Sequence, residues 1–194
     1  VDWMLARSEF ESLTTNWAPN RRADIDGCSD GKNYPHGNSQ CDKNFSESNS
    51  CFNNILAGCC FWFNPPWLPD FIFRLMEKIL FDFTRDPFNT TVFLVIPYSP
   101  TAKYWHLTKY FNEIKRYKRN SFKIFSRPRE GTFLPEKLKD AGAEGGPNRV
   151  FIQGCPYEVV VFFKDYKTDT QIDAAIKLHC AFGHYSREYL VVLW

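Results

Sequence analysis

Two consecutive prolines, Pro65 and Pro66, constrain the fold of this chain more than any other feature. They follow an apolar run that predicts a buried strand over 56–63, and they precede an amphipathic stretch. A proline pair removes two backbone donors and excludes both helix and central strand at that point. Asn64 and Trp67 flank the pair, and open α/β sheets bind ligands at the carboxyl ends of their strands. The tetrapeptide therefore indicates a site rather than a simple connection.

Bulk composition predicts a single domain over residues 1–194. The chain is 44% apolar and 18% aromatic, which suits one domain with a sizeable core. The formal net charge is +2, so any basic surface must be local. No apolar run reaches the roughly 18 residues that a membrane span needs, and we expect no membrane partner. The first residue, Val1, fits a segment of a larger polypeptide, a processed product or an expression product.

The seven cysteines predict an intracellular protein with free thiols, in the nucleus or the cytoplasm. Their number is odd, their spacing does not repeat, and two of them are adjacent, none of which suits a disulfide framework. Cys28, Cys41 and Cys51 could form a zinc site with His36. No C-x-x-C pair supports such a site, and we predict no metal.

Helical and extended patterns alternate along the chain. Helices are predicted over 8–17, 70–83, 101–118 and 169–183, strands over 23–28, 56–63, 92–96, 122–125, 158–163 and 189–193, and long loops over 29–54 and 127–148. This alternation predicts an α/β fold with one doubly wound, mostly parallel sheet and helices on both faces. In such a sheet Asp24, Asp26 and the tetrapeptide all lie at one carboxyl edge, together with the loop after Ile96.

The tetrapeptide carries groups that methylation of an exocyclic amino group requires. The lone pair of adenine N6 is delocalised into the ring, and it becomes nucleophilic only if acceptors hold the amino hydrogens. The Asn64 amide oxygen is one acceptor, and the Pro65 carbonyl is another because a proline pair cannot fold it back into a ladder. The Trp67 ring can stack on a base that has left the duplex, which contributes about 1–3 kcal/mol. A carboxylate near the first strand end, Asp24 or Asp26, can hold ribose hydroxyls.

Short motifs follow one another in a characteristic order. They are Asp2-Trp3, Phe10-Glu11 with Leu13, Trp17-Ala18-Pro19, Ala23 to Asp26, Asn33, the F-x-N-P-P-W segment, the V-F-L-V-I-P strand with Trp105 after it, Ile124 to Arg129, and Pro156 to Phe162. Over residues 2–165 this order resembles the phage-type Dam DNA N6-adenine methyltransferases and the related domains of DIRS-type retroelement polyproteins. These enzymes carry a D/N-P-P-Y/W/F motif and depend on S-adenosylmethionine.

The resemblance implies a Rossmann-like methyltransferase fold and S-adenosylmethionine-dependent methyl transfer to adenine N6 in DNA. The catalytic or base-binding residues would be Asn64, Pro65, Pro66 and Trp67, and the cofactor-binding residues Asp24 and Asp26. No F-x-G-x-G loop is present, and residues 166–194, a predicted helix and strand extension, lie outside the resemblance. The alternative is a catalytically inactive methyltransferase-like domain that serves a larger protein or assembly as a structural or nucleic-acid-binding module. RNA adenine and cytosine N4 stay open as targets.

A cluster of cations predicts contact with nucleic acid. Between Glu113 and Glu130 the chain has no acidic residue. Seven cations fall in this stretch: Lys115, Arg116, Lys118, Arg119, Lys123, Arg127 and Arg129. A solvated helix end also favours cations, but this density exceeds that need on a chain of near-neutral charge. We predict contacts with phosphates of DNA, or of RNA, because nothing in the stretch is suited to reading base edges.

Overall fold

The computed structural model describes residues 3–21, 23–29, 41, 43–46, 48–126 and 154–167. The helices are α1 (Arg7–Trp17) and α2 (Pro69–Phe83), with 3₁₀ helices at Cys51–Asn53 and Trp105–Tyr110. The strands are β1 (Trp3–Leu5), β2 (Ile25–Asp26), β3 (Lys43–Asn44), β4 (Cys60–Phe63), β5 (Thr91–Pro97), β6 (Asn112–Tyr117), β7 (Ser121–Ser126), β8 (Gly154–Cys155) and β9 (Val159–Lys164).

Within the described residues the strands form two sheets. The larger sheet has six strands in the order β3-β2-β4-β5-β9-β6. Its first four strands are parallel, whereas β9 runs antiparallel to both β5 and β6. The smaller sheet, β1-β7-β8, is antiparallel throughout. The molecule is therefore of the α/β class with a mixed sheet, more mixed than the predicted mostly parallel one.

The two helices cover opposite faces of the larger sheet. Alternate residues of β4, β5 and β9 point to opposite faces, and all three strands are buried along most of their length. One face packs against Ile72, Leu75 and Ile79 of α2. The other packs against Phe10 and Leu13 of α1. Burial on both faces explains why these strands are continuous apolar runs in the sequence.

The predicted helix over 101–118 is wrong. Only Trp105–Tyr110 is helical, as a 3₁₀ turn, and the chain then continues as β6. The backbone of β6 pairs with β9, so long-range pairing at the sheet edge overrides a local helical preference. Leu107 and Phe111 of this segment are buried in the core.

Other boundaries differ less. α1, α2, β5, β7 and β9 match their predicted positions to within one or two residues. The predicted strands over 23–28 and 56–63 are shorter, and β3 lies inside the predicted loop 29–54. The cap of α1 is Ala6, which makes no side-chain cap bond. The elements predicted within 127–148, 169–183 and 189–193 lie outside the described residues.

Candidate functional site

The larger sheet reverses its strand order at β2. The chain places β3 on one side of β2 and then β4 on the other. Open α/β sheets bind ligands outside the carboxyl ends of the strands at such a switch point. Asp26 ends β2 and is 3% exposed, and its Oδ1 accepts a hydrogen bond from the Cys28 amide at 3.1 Å. The predicted position of Asp26 at a carboxyl strand end is therefore correct.

Gly27 closes the contact between β2 and β4 at this end. A Cβ atom at Gly27 would lie 1.9 Å from Cε1 of Phe63, so no larger residue fits without movement of that ring. The Gly27 amide donates to the Trp62 carbonyl at 2.8 Å, which continues the ladder beyond β2. The switch point is thus closely packed where β2 meets β4.

Asn64 follows β4 directly and is half-buried. Its Nδ2 donates a hydrogen bond to the Trp3 carbonyl at 2.6 Å. Since a backbone carbonyl only accepts, this contact fixes which end of the amide faces β1 and leaves Oδ1 as an acceptor. Within the part of the chain that the structure describes, no donor is bonded to this oxygen.

The proline pair leaves a second acceptor beside Asn64. The Leu68 amide donates to the Pro66 carbonyl at 2.8 Å, and α2 then starts at Pro69, where a missing amide hydrogen costs nothing. The Pro65 carbonyl receives no hydrogen bond from any described residue. Two unpaired oxygen acceptors therefore belong to consecutive residues at the end of β4.

Trp67 lies within a group of three aromatic rings. Its ring is near-parallel to that of Trp3, with centroids 6.2 Å apart and planes 14° apart. Tyr157 meets it edge-on, at 6.2 Å and 80°. Neither Trp3 nor Tyr157 was predicted from the sequence to be a site residue. The signal that could have found them is their place in two motif segments, Asp2-Trp3 and Pro156 to Phe162, that share the tetrapeptide's resemblance.

Asp24 lies at the opposite end of the strands. It precedes β2, and its Oδ2 accepts a hydrogen bond from the Cys60 amide at 2.9 Å, at the first residue of β4. Cys60 is four residues from Asn64, or on the order of 13 Å along an extended strand. The expectation that Asp24 shares the edge of Asn64 is therefore wrong, because β2 starts one residue after it.

Cys28, two residues after Asp26, shares a hydrogen bond with Cys51. Burial, followed by a hydrogen bond to Cys51, raises the pKa of Cys28, whereas the bond from Cys28 lowers the pKa of Cys51. Burial raises the pKa of Cys60 to about 12. The six cysteines that the structure describes are free thiols. Among the described residues no group of three or more His, Cys, Asp and Glu could hold a metal ion.

A surface groove of about 430 Å³ lies at the β6–β7 corner, where the chain leaves β6 of the larger sheet and enters β7 of the smaller sheet. Its lining residues are Glu9, Lys115, Arg116, Tyr117, Lys118, Arg119, Ser121 and Lys123. Five of the seven predicted nucleic-acid-binding cations are thus brought together, on strands and a turn rather than on a helix. Arg127 and Arg129 lie outside the described residues.

The five cations of this groove differ in their partners. Arg116 bonds to Glu113 at 2.7 Å and to Glu158 at 3.4 Å, and its guanidinium lies 4.2 Å from the Tyr98 ring centroid. Lys123 pairs with Glu9 at 2.9 Å. Lys115, Lys118 and Arg119 are exposed and form no ion pair with any residue that the structure describes.

Comparison with known proteins adds no relative. No model of a known protein family matches the chain, and neither a curated protein nor a solved structure matches it. In the described ranges no helix has the length and apolar character to cross a bilayer. The resemblance to Dam-type methyltransferases stays a prediction.

Proposed function

We propose that the chain transfers a methyl group from S-adenosylmethionine to an exocyclic amino group of a nucleic-acid base, with adenine N6 in DNA as the acceptor. The observation that carries this proposal is the state of Asn64. Its amide nitrogen donates to the Trp3 carbonyl, while its oxygen and the carbonyl of the next residue, Pro65, receive no hydrogen bond from any described residue. An amino group with two hydrogens is the ligand that two adjacent acceptors suit.

The two acceptors would act on the nucleophile. Hydrogen bonds from the amino group to Asn64 Oδ1 and to the Pro65 carbonyl draw its hydrogens out of the ring plane and localise the nitrogen lone pair. With S-adenosylmethionine bound, the nitrogen would take the methyl group as S-adenosylhomocysteine leaves, and one amino proton would pass to water. Trp67 would hold the plane of the base, which must leave a duplex to reach this position.

S-adenosylmethionine, when bound, supplies an electrophilic methyl carbon on a sulfonium. Asp26 is the described carboxylate whose position suits the nucleoside end of this cofactor, because it ends β2 at the switch point. Asp24 does not suit it, because its carboxylate bonds to the Cys60 amide at the far end of the strands. Of the two aspartates, we therefore retain Asp26 alone for cofactor binding.

A second candidate is a methyltransferase-like domain without activity, which would serve as a nucleic-acid-binding or structural module. One observation favours it: the Trp67 ring already contacts Trp3 and Tyr157, so it also serves as a packing residue. The two candidates differ in whether the chain binds a methyl donor.

The test is transfer of labelled methyl groups to an adenine-containing DNA duplex. We expect Asn64→Ala to lower the rate by about 10²–10³-fold, as removal of one preorganised hydrogen-bonding group does elsewhere. Asn16→Ala is the matched control, since Asn16 is exposed on α1, and it should keep the wild-type rate. Thermal unfolding checks that both variants are folded. Equal rates for Asn64→Ala and wild type would refute the role of Asn64.

A further inference from the structure

The smaller sheet connects the β6–β7 corner with the surroundings of Asn64. In this sheet β7 pairs with β1, so that Leu5 lies opposite Ile124 and Trp3 opposite Ser126. The Ala6 amide donates to the Lys123 carbonyl at 2.9 Å. Trp3 and Ala6 are three residues apart, or roughly 10 Å on an extended strand. The same β1–β7 pair therefore carries both Lys123 of the groove and the Trp3 carbonyl that binds Asn64.

Glu9 of α1 holds the β6–β7 corner in place from inside the groove. Both oxygens of Glu9 are used: Oε2 accepts from the Tyr117 hydroxyl at 2.8 Å, and Oε1 pairs with Lys123 at 2.9 Å. Burial, together with the bond to Glu9, raises the pKa of Tyr117, so the phenol stays a donor. Asn120 adopts a left-handed conformation at φ 60°, which closes the turn after Arg119. Lys118 and Arg119 therefore lie in a turn whose backbone these contacts hold in place.

The lining of the groove carries a larger positive charge than the chain as a whole. Five cations and one acid line it, a difference of +4, whereas the whole chain carries +2. Arg116 and Lys123 are neutralised by the carboxylates they bind. The excess therefore resides on three exposed side chains, Lys115, Lys118 and Arg119.

We infer that Lys118 and Arg119, assisted by Lys115, bind backbone phosphates of the same nucleic-acid strand whose base reaches Asn64, whereas Arg116 and Lys123 position the β6–β7 corner. The inference rests on the proposed function for the identity of that base. Backbone phosphates are the regularly spaced anions that such exposed cations bind. An acidic protein segment would satisfy the cations but would leave the aromatic group around Trp67 without a ligand.

The test is fluorescence anisotropy of a labelled DNA duplex titrated with the full chain at several salt concentrations. The variant is Lys118→Glu with Arg119→Glu. The matched control is Lys43→Glu with Arg74→Glu, which changes the net charge equally at exposed positions of β3 and α2. We expect the Lys118→Glu, Arg119→Glu variant to weaken binding at least about tenfold and to reduce the slope of log affinity against log salt by about 2. The control should keep wild-type values.

Equal weakening by both double variants would overturn the inference, and so would a wild-type chain that binds no DNA at low salt. Competition by poly-glutamate as strong as that by DNA would also contradict it, because it would favour an acidic protein partner. Failure of the proposed function has a different signature. In that case the Lys118→Glu, Arg119→Glu variant loses DNA binding as expected, while the wild type transfers no methyl group.

Discussion

The two ends of the β2–β4 pair use their polar groups differently. At the amino end, the Asp24 carboxylate bonds to the Cys60 amide, and Asp82 of α2 bonds to the Leu56 amide that leads into β4. Both carboxylates are therefore used in folding. At the carboxyl end, Asn64 Oδ1 and the Pro65 carbonyl receive no hydrogen bond from any described residue. The same strand pair thus has one end whose carboxylates bond to backbone amides and one end with two acceptors that no described donor uses.

The length of β2 explains the difference. With two residues, β2 supplies few ladder bonds, and the Asp24 side chain stands in for a missing ladder acceptor. A neutral hydrogen bond contributes about 0.5–1.5 kcal/mol net, and one to a charged group about 1.5–3 kcal/mol. The amino end is therefore stabilised by side chains, whereas the carboxyl end depends on the close packing of Gly27 against Phe63.

Gly27→Ala should disrupt the packing at the carboxyl end of β2 and β4 and have the largest effect on the free energy of unfolding. The new Cβ would overlap the Phe63 ring at 1.9 Å, and overpacking of this kind costs about 3 kcal/mol. Gly58→Ala is the control. Its Cβ would lie 3.4 Å from Asp86 Oδ2, so only the positive φ of 76° is strained, at about 1 kcal/mol. Urea unfolding measures both, and a smaller loss at Gly27 than at Gly58 would contradict the packing account.

Asp24→Ala tests the role of the side chain at the amino end of the β2–β4 pair. Loss of the bond to the Cys60 amide should lower the free energy of unfolding by about 1–2 kcal/mol. Methyl-donor binding should stay at the wild-type level, because Asp24 lies at the wrong end of the strands. Asp26→Asn should weaken donor binding. A donor affinity that falls with Asp24→Ala in the folded protein would refute this division of roles.

Acid pH should have the smallest effect, through Glu9, which joins α1 to β6 and β7. Burial raises the pKa of Glu9, but hydrogen bonds from Lys123 and Tyr117 outweigh it and leave this pKa below its ordinary value of 4.5. The stability that Glu9 contributes is therefore complete above pH 4.5 and is lost as pH falls through the folded value. We expect a loss of about 1 kcal/mol or less. Unfolding followed at several pH values should show this loss in the wild type and not in Glu9→Gln.

Much of the fold follows from sequence pattern, and the failures have physical reasons. The continuous apolar runs of β5 and β9 and the amphipathic α2 were predictable because burial fixes their composition. β6 was predicted as helix, because its strand state comes from pairing with β9, which local pattern does not reveal. At the site, the proline pair was predictable from backbone chemistry. The contact of Asn64 with Trp3 was not, since it joins residues 61 positions apart.

Calorimetric titration of S-adenosylmethionine onto the folded chain tests the central claim most directly. If the carboxyl end of β2 and β4 is left open for a methyl donor and a base, the wild type should bind the donor with a dissociation constant below about 1 mM, or roughly −4 kcal/mol. Asp26→Asn should weaken this binding, and Asn64→Ala should retain it while transfer is lost. An absence of binding heat at millimolar donor would contradict the claim and favour the inactive module.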